Sequence, residues 1–146
     1  MRISTKGRYG LRVMIELAAR NGTRPVLLKD IARGTGVSVK YLHRILTTLR
    51  ASGLVRSVRG AGGGYLLARP AKGITVSEIV QRMEGPFYPV ECLQDPSACQ
   101  RAPRCVARGV WQVLGEAIEH ALDRINLEDL ARSQKSLAPI AATFDI

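Results

Sequence analysis

The sequence predicts a mainly α-helical protein with a small β-wing, in which a winged helix-turn-helix precedes a long helix suited to dimerisation. Three observations lead to this fold class. Residues 28–69 have the pattern of two helices around a glycine-marked turn, followed by two strand-like runs joined by a glycine-rich loop. On both sides of this region, apolar residues recur three and four positions apart, as in amphipathic helices. One such stripe continues for about six turns, which is long for so small a domain.

Composition favours a partner with negative charge. The 146 residues suffice for one domain with a core and an assembly arm. Lys and Arg number 22 against 12 Asp and Glu, a formal charge of +10. Most of the excess is arginine, which suits bidentate contacts with phosphate and guanine. Because aromatic residues are few, a surface that stacks the bases of single strands is disfavoured.

The sequence shows no signal-peptide pattern and no apolar run of membrane-spanning length. We therefore expect a cytoplasmic protein, and disulfides are rarely structural in that compartment. Three cysteines are also an odd number, so they cannot form a closed disulfide framework within one chain.

The first two helices lead into the turn. Helix one is predicted at about residues 5–20, ending at Asn21-Gly22, since both residues tolerate the left-handed conformation. Helix two is predicted at 28–33, with the turn at Gly34-Thr35-Gly36.

Helix three is predicted at 39–51, with Ser38 as its N-cap. Its apolar positions follow the spacing of one buried face. A cationic, hydrogen-bonding outer face is what groove readout of DNA requires, and an ordinary solvated face is the alternative. The outer face carries Lys40, Tyr41, His43, Arg44, Thr47, Thr48 and Arg50.

The wing is predicted as strands at 54–58 and 65–68 around a loop that runs from Arg59 and Gly60 to Gly64. Arg56 lies on the first strand and, with Arg59 and Gly60, is a candidate DNA contact. A nucleotide-phosphate loop is the rival interpretation of these glycines. It is weak because the order is strand–loop–strand and no Lys-Ser or Lys-Thr follows.

Thr75 and Glu78 form a capping-box pattern that begins helix four, predicted at 76–84. A loop follows to Pro103, and a loop of this length is often functional. We expect four regions: a winged helix-turn-helix domain at 1–84, a cysteine-bearing sensor loop at 85–104, a dimerisation helix region at 105–131 and a tail at 132–146.

The dimerisation region contains a long helix predicted at 105–125 and a further short helix at 126–131, before a loose tail from 139. The apolar stripe of the long helix would be largely bare in a monomer. It predicts a homodimer, because symmetric operators are usually read by two-fold proteins. The alternative is a helix folded back onto its own domain.

The spacing Cys92-x6-Cys99-x5-Cys105 differs from the paired C-x-x-C motifs of structural zinc sites. Three clustered cysteines in a reducing compartment favour an iron–sulfur cluster. Arg101, Arg104 and Arg108 would stabilise thiolates and offset an anionic cluster. A metal-free thiol switch, a zinc site completed by Asp or His, and chance remain open.

Several motifs together resemble the IscR/NsrR/CymR family of winged-helix repressors, the Rrf-two superfamily. The resemblance covers about residues 1–130, and the glycine-rich wing is its most specific part. The matching segments are Met1–Tyr9, Gly36-Val37-Ser38, Tyr41-Leu42, Gly53-Leu54-Val55 and Val58–Tyr65.

The resemblance implies a homodimeric transcription regulator whose affinity for double-stranded DNA answers to an iron–sulfur cluster. It assigns operator contacts to Ser38, Lys40, Tyr41, His43 and Arg44. It also assigns them to Arg59 and the following glycines, with Arg59 entering a narrow minor groove.

Two ligand positions of the family differ here. IscR-like members have a histidine where this chain has Arg108, and NsrR-like members have an aspartate where it has Arg8. The fourth ligand is therefore unassigned, with Glu91, Asp95, His43 or a small molecule as candidates. The cluster type, [2Fe-2S] or [4Fe-4S], is also open.

The leading hypothesis is a cluster-dependent regulator that senses redox state, nitric oxide or iron supply. The alternative follows CymR-like relatives, which lack a cluster. It is a regulator of cysteine and sulfur metabolism controlled by thiol oxidation or a partner protein. An enzyme is disfavoured, because the only histidines are His43 and His120 and no nucleophile–base pair is recognisable.

Overall fold

The computed structural model describes residues 2–20 and 23–143, with side-chain surroundings up to residue 137. Within these residues the protein is mainly α-helical with one small antiparallel sheet, which confirms the predicted fold class. No helix in this part of the chain is long and apolar enough to cross a membrane. The elements are α1 (Thr5–Ala19), α2 (Leu28–Thr35), α3 (Val39–Ala51), β1 (Val55–Val58), β2 (Gly64–Leu67), α4 (Val76–Glu84), α5 (Glu91–Gln94), α6 (Val106–Asp123) and α7 (Leu127–Thr143).

The helix-turn-helix forms from α2 and α3, with α1 packed against both. Helix α2 extends two residues beyond the predicted range, so the turn between the helices is Gly36-Val37-Ser38 rather than Gly34-Thr35-Gly36. Gly36 has a φ of 68°, a left-handed conformation that ends the helix at low steric cost. The predicted end of helix one at Asn21-Gly22 lies outside the described residues. Four apolar residues form the buried face of α3, namely Leu42, Ile45, Leu46 and Leu49.

The wing is a two-stranded ribbon anchored to the body at its base. Strand β1 pairs antiparallel with β2, so that Val55 lies opposite Leu67 and Val58 opposite Gly64. Val26, just before α2, exchanges two backbone hydrogen bonds of 2.9 Å with Tyr65. This third backbone segment fixes the base of the wing relative to the helix-turn-helix.

Helix α4 begins and ends as predicted and packs closely against α1. The Thr75 hydroxyl accepts a hydrogen bond from the Glu78 amide at 3.2 Å. The Glu78 carboxylate forms an ion pair with Arg69, two residues after the end of β2. Gly7 and Gly10 of α1 face α4: a methyl group at Gly10 would lie 2.7 Å from a Met83 side-chain carbon. These two glycines let α1 and α4 approach each other.

The segment expected to be a loop without helical structure contains three short helical turns. They are α5 and 3₁₀ turns at Pro96–Ala98 and Ala102–Arg104. Local hydrogen bonds explain them: Asp95 accepts from the Ser97 amide at 2.9 Å, for example. Turns this short carry no 3.6-residue periodicity, so periodicity could not predict them.

Helix α6 is slightly shorter than predicted and leaves its apolar stripe exposed, as expected. Gly115 is its only buried residue. The helix is held to α4 by side-chain hydrogen bonds from Gln81 to Glu119 at 2.8 Å and from Thr75 to Asp123 at 3.0 Å. Its exposed large apolar residues are Val106, Val110, Trp111, Val113 and Leu114.

Helix α7 corrects the prediction of a short helix followed by a loose tail. It continues to Thr143, so the expected tail at 132–146 begins as helix, through Pro139. The physical reason is tertiary: Leu127 and Ala131 are buried in the common core, where α7 packs along α1. Packing of this kind stabilises a helix whose local signals are weak.

The contact between α6 and the preceding segment generates a stability prediction. A Gly→Ala change inside a helix normally stabilises it by up to about 1 kcal/mol. At Gly115, however, the added methyl would lie 2.4 Å from the backbone oxygen of Phe87. We expect Gly115→Ala to lower the free energy of unfolding by about 1–3 kcal/mol, measured by urea denaturation at fixed protein concentration.

Gly109→Ala is the matched control. It lies in the same helix, and a methyl there would meet nothing within 4 Å. We expect this variant to be as stable as the parent or slightly more stable. A Gly115→Ala protein of undiminished stability would contradict the close contact between α6 and Phe87.

Candidate nucleic-acid interface and cysteine segment

The N-cap and the first two turns of α3 present the predicted groove-facing residues to solvent. The Ser38 hydroxyl accepts a hydrogen bond from the Tyr41 amide at 3.3 Å, which confirms Ser38 as the N-cap. Lys40, His43 and Arg44 are exposed, on the side of the helix away from the core. This face offers charge and hydrogen-bonding groups where a major groove would meet them.

The cations of this face are available to an external partner. Within the described residues, the arginines in ion pairs are Arg20, Arg33, Arg69 and Arg132. Lys40, Arg44, Arg56 and Arg59 make no ion pair in this part of the chain. Their charge is therefore not neutralised by nearby carboxylates, as a surface for phosphate requires.

The wing places a second cationic group beside α3. Arg56 lies on β1 opposite Leu66 and is exposed. Arg59 and Gly60 lie at the tip of the wing, and Gly60 has a φ of 105°. The Gly63 amide donates to the Gly60 carbonyl oxygen at 3.0 Å, which closes the turn. The arginine is thus carried on a tight, narrow projection.

Tyr41 differs from its neighbours because its ring is half-buried and packs against the core. The ring meets that of Tyr9 edge to face, with centroids 5.8 Å apart and an interplanar angle of 79°. The Arg12 guanidinium lies 5.2 Å from the centre of the Tyr9 ring. Its Nη1 also donates to the Thr35 carbonyl oxygen at 3.1 Å.

This group, which we call the α1 brace (Tyr9, Arg12, Tyr41), joins α1 to both helices of the helix-turn-helix. Tyr9 and Arg12 were not among the site residues predicted from the sequence. Their spacing of three residues on α1 was an available signal, because it puts both side chains on one helix face. Nothing in the sequence showed that this face meets α3.

The three cysteines occupy different local structures in one segment. Cys92 lies within α5, Cys99 follows the 3₁₀ turn at Pro96–Ala98, and Cys105 precedes the first residue of α6. Each is half-buried and unpaired. The segment thus presents three free thiols between α4 and α6.

The donor type fits an iron–sulfur cluster, but the arrangement of the donors in the described conformation does not. Cysteine is the usual cluster ligand, and all three cysteines are free. Within residues 2–20 and 23–143, however, no three Cys, His, Asp or Glu side chains lie together as a metal site would require. The segment is therefore not a preformed ligand cage.

The surrounding charged residues make local contacts. The Arg108 guanidinium donates to the Cys92 carbonyl oxygen at 3.2 Å, so it ties α6 to α5. The Asp95 carboxylate accepts from the Ser97 hydroxyl and amide, and these bonds lower its pKa. Asp95 is thus already engaged, whereas Glu91 is exposed at the start of α5. His43 lies on the groove-facing side of α3. Within the described residues, no candidate fourth ligand lies together with two of the cysteines as a metal site would require.

Comparisons with known proteins agree with this geometry. A family model, Rrf2, described as an iron-dependent transcriptional regulator, matches residues 3–133. The chain is 44% identical over 131 residues to the HTH-type transcriptional regulator CymR of Bacillus subtilis, covering 90% of each protein. It is 39% identical over 137 residues to IscR of Xenorhabdus nematophila, covering 94% of this chain and 83% of IscR.

Solved structures show the same fold. CymR of B. subtilis, described as that organism's global cysteine regulator, superposes with a TM-score of 0.74 over 91% of this chain and 98% of CymR. IscR of T. potens superposes with a TM-score of 0.73 at 38% identity, over 92% of this chain and 88% of IscR. The relatives are regulators of transcription and not enzymes. The chain is a winged-helix, DNA-binding transcription regulator and belongs to the Rrf2 family.

Proposed function

We propose that this regulator binds a two-fold operator as a homodimer, with α3 in the major groove and Arg59 in the adjacent minor groove. The observation that carries the proposal is the exposed, unpaired cationic surface of α3 and the wing. A recognition helix presents base-reading groups from its N-terminal part, and here the N-cap and the first two turns carry Ser38, Lys40, His43 and Arg44.

The homodimer is supported by the exposed apolar stripe of α6. Val106 is 89% exposed, Val113 65% and Val110 58%. A contiguous apolar surface of this kind is typical of an interaction site. A second copy of the chain covers it with the same residues, since a two-fold interface is self-complementary.

The orientation of α3 depends on the α1 brace. Edge-to-face aromatic pairs stabilise by about 0.5–1.5 kcal/mol beyond the burial of their area. Arg12 extends the contact to the carbonyl end of α2. We infer that the brace positions the recognition helix without contributing a phosphate contact of its own.

The regulatory signal enters, we propose, through the cysteine segment. Gly115 and Arg108 of α6 contact this segment. The segment directly follows α4, which packs against α1. A change at the cysteines would therefore alter how α6 is held relative to α4 and α1. In a homodimer built on α6, that change would alter the spacing of the two recognition helices.

The first candidate for the signal is an iron–sulfur cluster held by Cys92, Cys99 and Cys105. Three free thiols in one segment and a family described as iron-dependent support it. When bound, a cluster with one incompletely protected iron would supply reactivity towards oxygen or nitric oxide.

The second candidate is a metal-free regulator in which the thiols are oxidised or a partner protein binds. It is supported by the same three free thiols, which need no metal in order to react with an oxidant. The similarity to CymR, described as a cysteine regulator, is consistent with it.

DNA binding by charge and by base readout can be separated by two substitutions. Arg59→Ala is expected to weaken specific binding more than non-specific binding, because minor-groove width depends on sequence. Lys40→Ala is expected to weaken both alike and to reduce the salt slope by about one unit if Lys40 meets phosphate. Fluorescence anisotropy on specific and non-specific duplexes from 50 to 200 mM salt measures the two affinities and their salt slopes. Over this range the affinity of the parent is expected to fall by a factor of about 10³–10⁵.

Arg132→Ala is the control for loss of one positive charge, because Arg132 lies on α7 and is paired with Glu128. We expect little change in either binding mode. A shallow salt dependence of the parent, with no preference among duplexes, would refute the proposal.

The α1 brace predicts a rescue pattern at Tyr9. Tyr9→Ala removes the ring that contacts Tyr41 and is expected to lower specific affinity about threefold to tenfold. Tyr9→Phe keeps the ring and should restore parental affinity. Because no phosphate contact is lost, the salt slope should stay unchanged in both variants. A reduced slope in Tyr9→Phe would instead assign the Tyr9 hydroxyl to phosphate.

The cysteines are tested by anaerobic purification followed by iron and sulfide analysis and visible absorption. A cluster predicts coloured protein with both elements, and loss of both in Cys92→Ala, Cys99→Ala and Cys105→Ala, with altered operator affinity. Ser97→Ala is the control within the same segment. Colourless parent protein that responds to oxidant through the same cysteines would favour the second candidate. If all three variants bind operator as the parent does, with or without oxidant, neither candidate holds.

A further inference from the structure

Val39, the first residue of α3, is an exposed apolar residue on a cationic surface. Its side chain is 46% exposed, whereas Leu42, Ile45, Leu46 and Leu49 are at most 1% exposed. Within the described residues it does not join the core cluster or the side chains packed against it. Packing inside the protein therefore does not explain this valine.

Helix formation does not explain it either. The cap is supplied by Ser38, whose hydroxyl accepts from the Tyr41 amide. Valine is also a weaker helix former than alanine, lysine or glutamine, because its branched side chain loses rotamer freedom. A single exposed apolar residue is ordinary on protein surfaces. Only its location in the fold can therefore indicate a function for Val39.

Val39 lies in the N-terminal part of α3, which in the proposed complex enters the major groove. Val39 stands between the exposed Ser38 and Lys40 and one helical turn before His43. Recognition helices of this class contact base edges with their N-terminal residues. Val39 therefore lies among the side chains that the proposed function assigns to base readout, and it has no polar group with which to read a base.

The chemistry of the groove identifies what an aliphatic side chain meets there. Among the base edges in the major groove, only thymine presents an apolar group, its C5 methyl. We propose that Val39 is a specificity-determining residue that contacts a thymine methyl in each half-site. This inference rests on the proposed binding of duplex DNA and adds the base that this position selects.

The test needs an operator and a change confined to the methyl group. The full-length protein first selects its preferred duplex from a random pool. Deoxyuridine then replaces thymidine at one position at a time, which removes the methyl and keeps every hydrogen-bonding group of the base. At one position in each half-site, we expect parental affinity to fall about threefold to fourfold, the effect of losing one buried methyl contact.

The variant Val39→Ala should bind the thymine operator more weakly and lose the discrimination between thymine and uracil at that position. Because Val39 is exposed and outside the core, this change should leave the fold intact, which circular dichroism checks. Val58→Ala is the matched control: Val58 is an apolar residue of the wing with 36% exposure. It should keep the full discrimination.

Two results would overturn the inference while the proposed function stands. One is a parent protein that selects an operator but binds its uracil forms equally well at every position. The other is a Val39→Ala variant with unchanged thymine–uracil discrimination, which would assign the methyl contact to another residue. If the parent selects no duplex from the pool, the proposed function fails and the inference fails with it.

Discussion

The architecture depends on the burial of one face of α3. Leu42, Ile45, Leu46 and Leu49 lie in the core and are almost completely removed from solvent. Rotating the helix by even a quarter turn would expose part of this apolar surface and bury a charged side chain, and both changes cost free energy. The direction of the cationic face is therefore set by hydrophobic packing. The surface proposed to meet DNA therefore takes its direction from residues buried in the core.

Helix α1 connects the two functional parts of the molecule. One side of it carries the α1 brace, which contacts α3 and the end of α2. The other side carries Gly7 and Gly10, which let α4 approach closely. Glu84, at the end of α4, accepts a hydrogen bond from the Ser4 amide at 3.2 Å, at the first turn of α1. Because well-packed interfaces shift between discrete arrangements, a displacement of α4 would move α1 as a body.

The cysteine segment contrasts with this close packing. Its turns are held by short-range hydrogen bonds, and its residues are mostly exposed or half-buried. Arg108 and Gly115 are two points at which α6 contacts this segment, at Cys92 and at Phe87. A segment with few long-range contacts is the part of a fold that rearranges at low cost. This placement suits the proposed role of the segment as a sensor that acts on α6.

Local chemistry in the sequence determined the helices with clear caps and stripes, α1, α3 and α4, and the wing with its glycines. Ser38 and Thr75 cap where their side chains predict, because an N-cap bond depends only on residues three positions apart. The tertiary structure alone decided that α2 reaches Thr35, that α7 continues to Thr143 and that Tyr9 meets Tyr41. Each of these depends on contacts between distant residues, which no local pattern encodes.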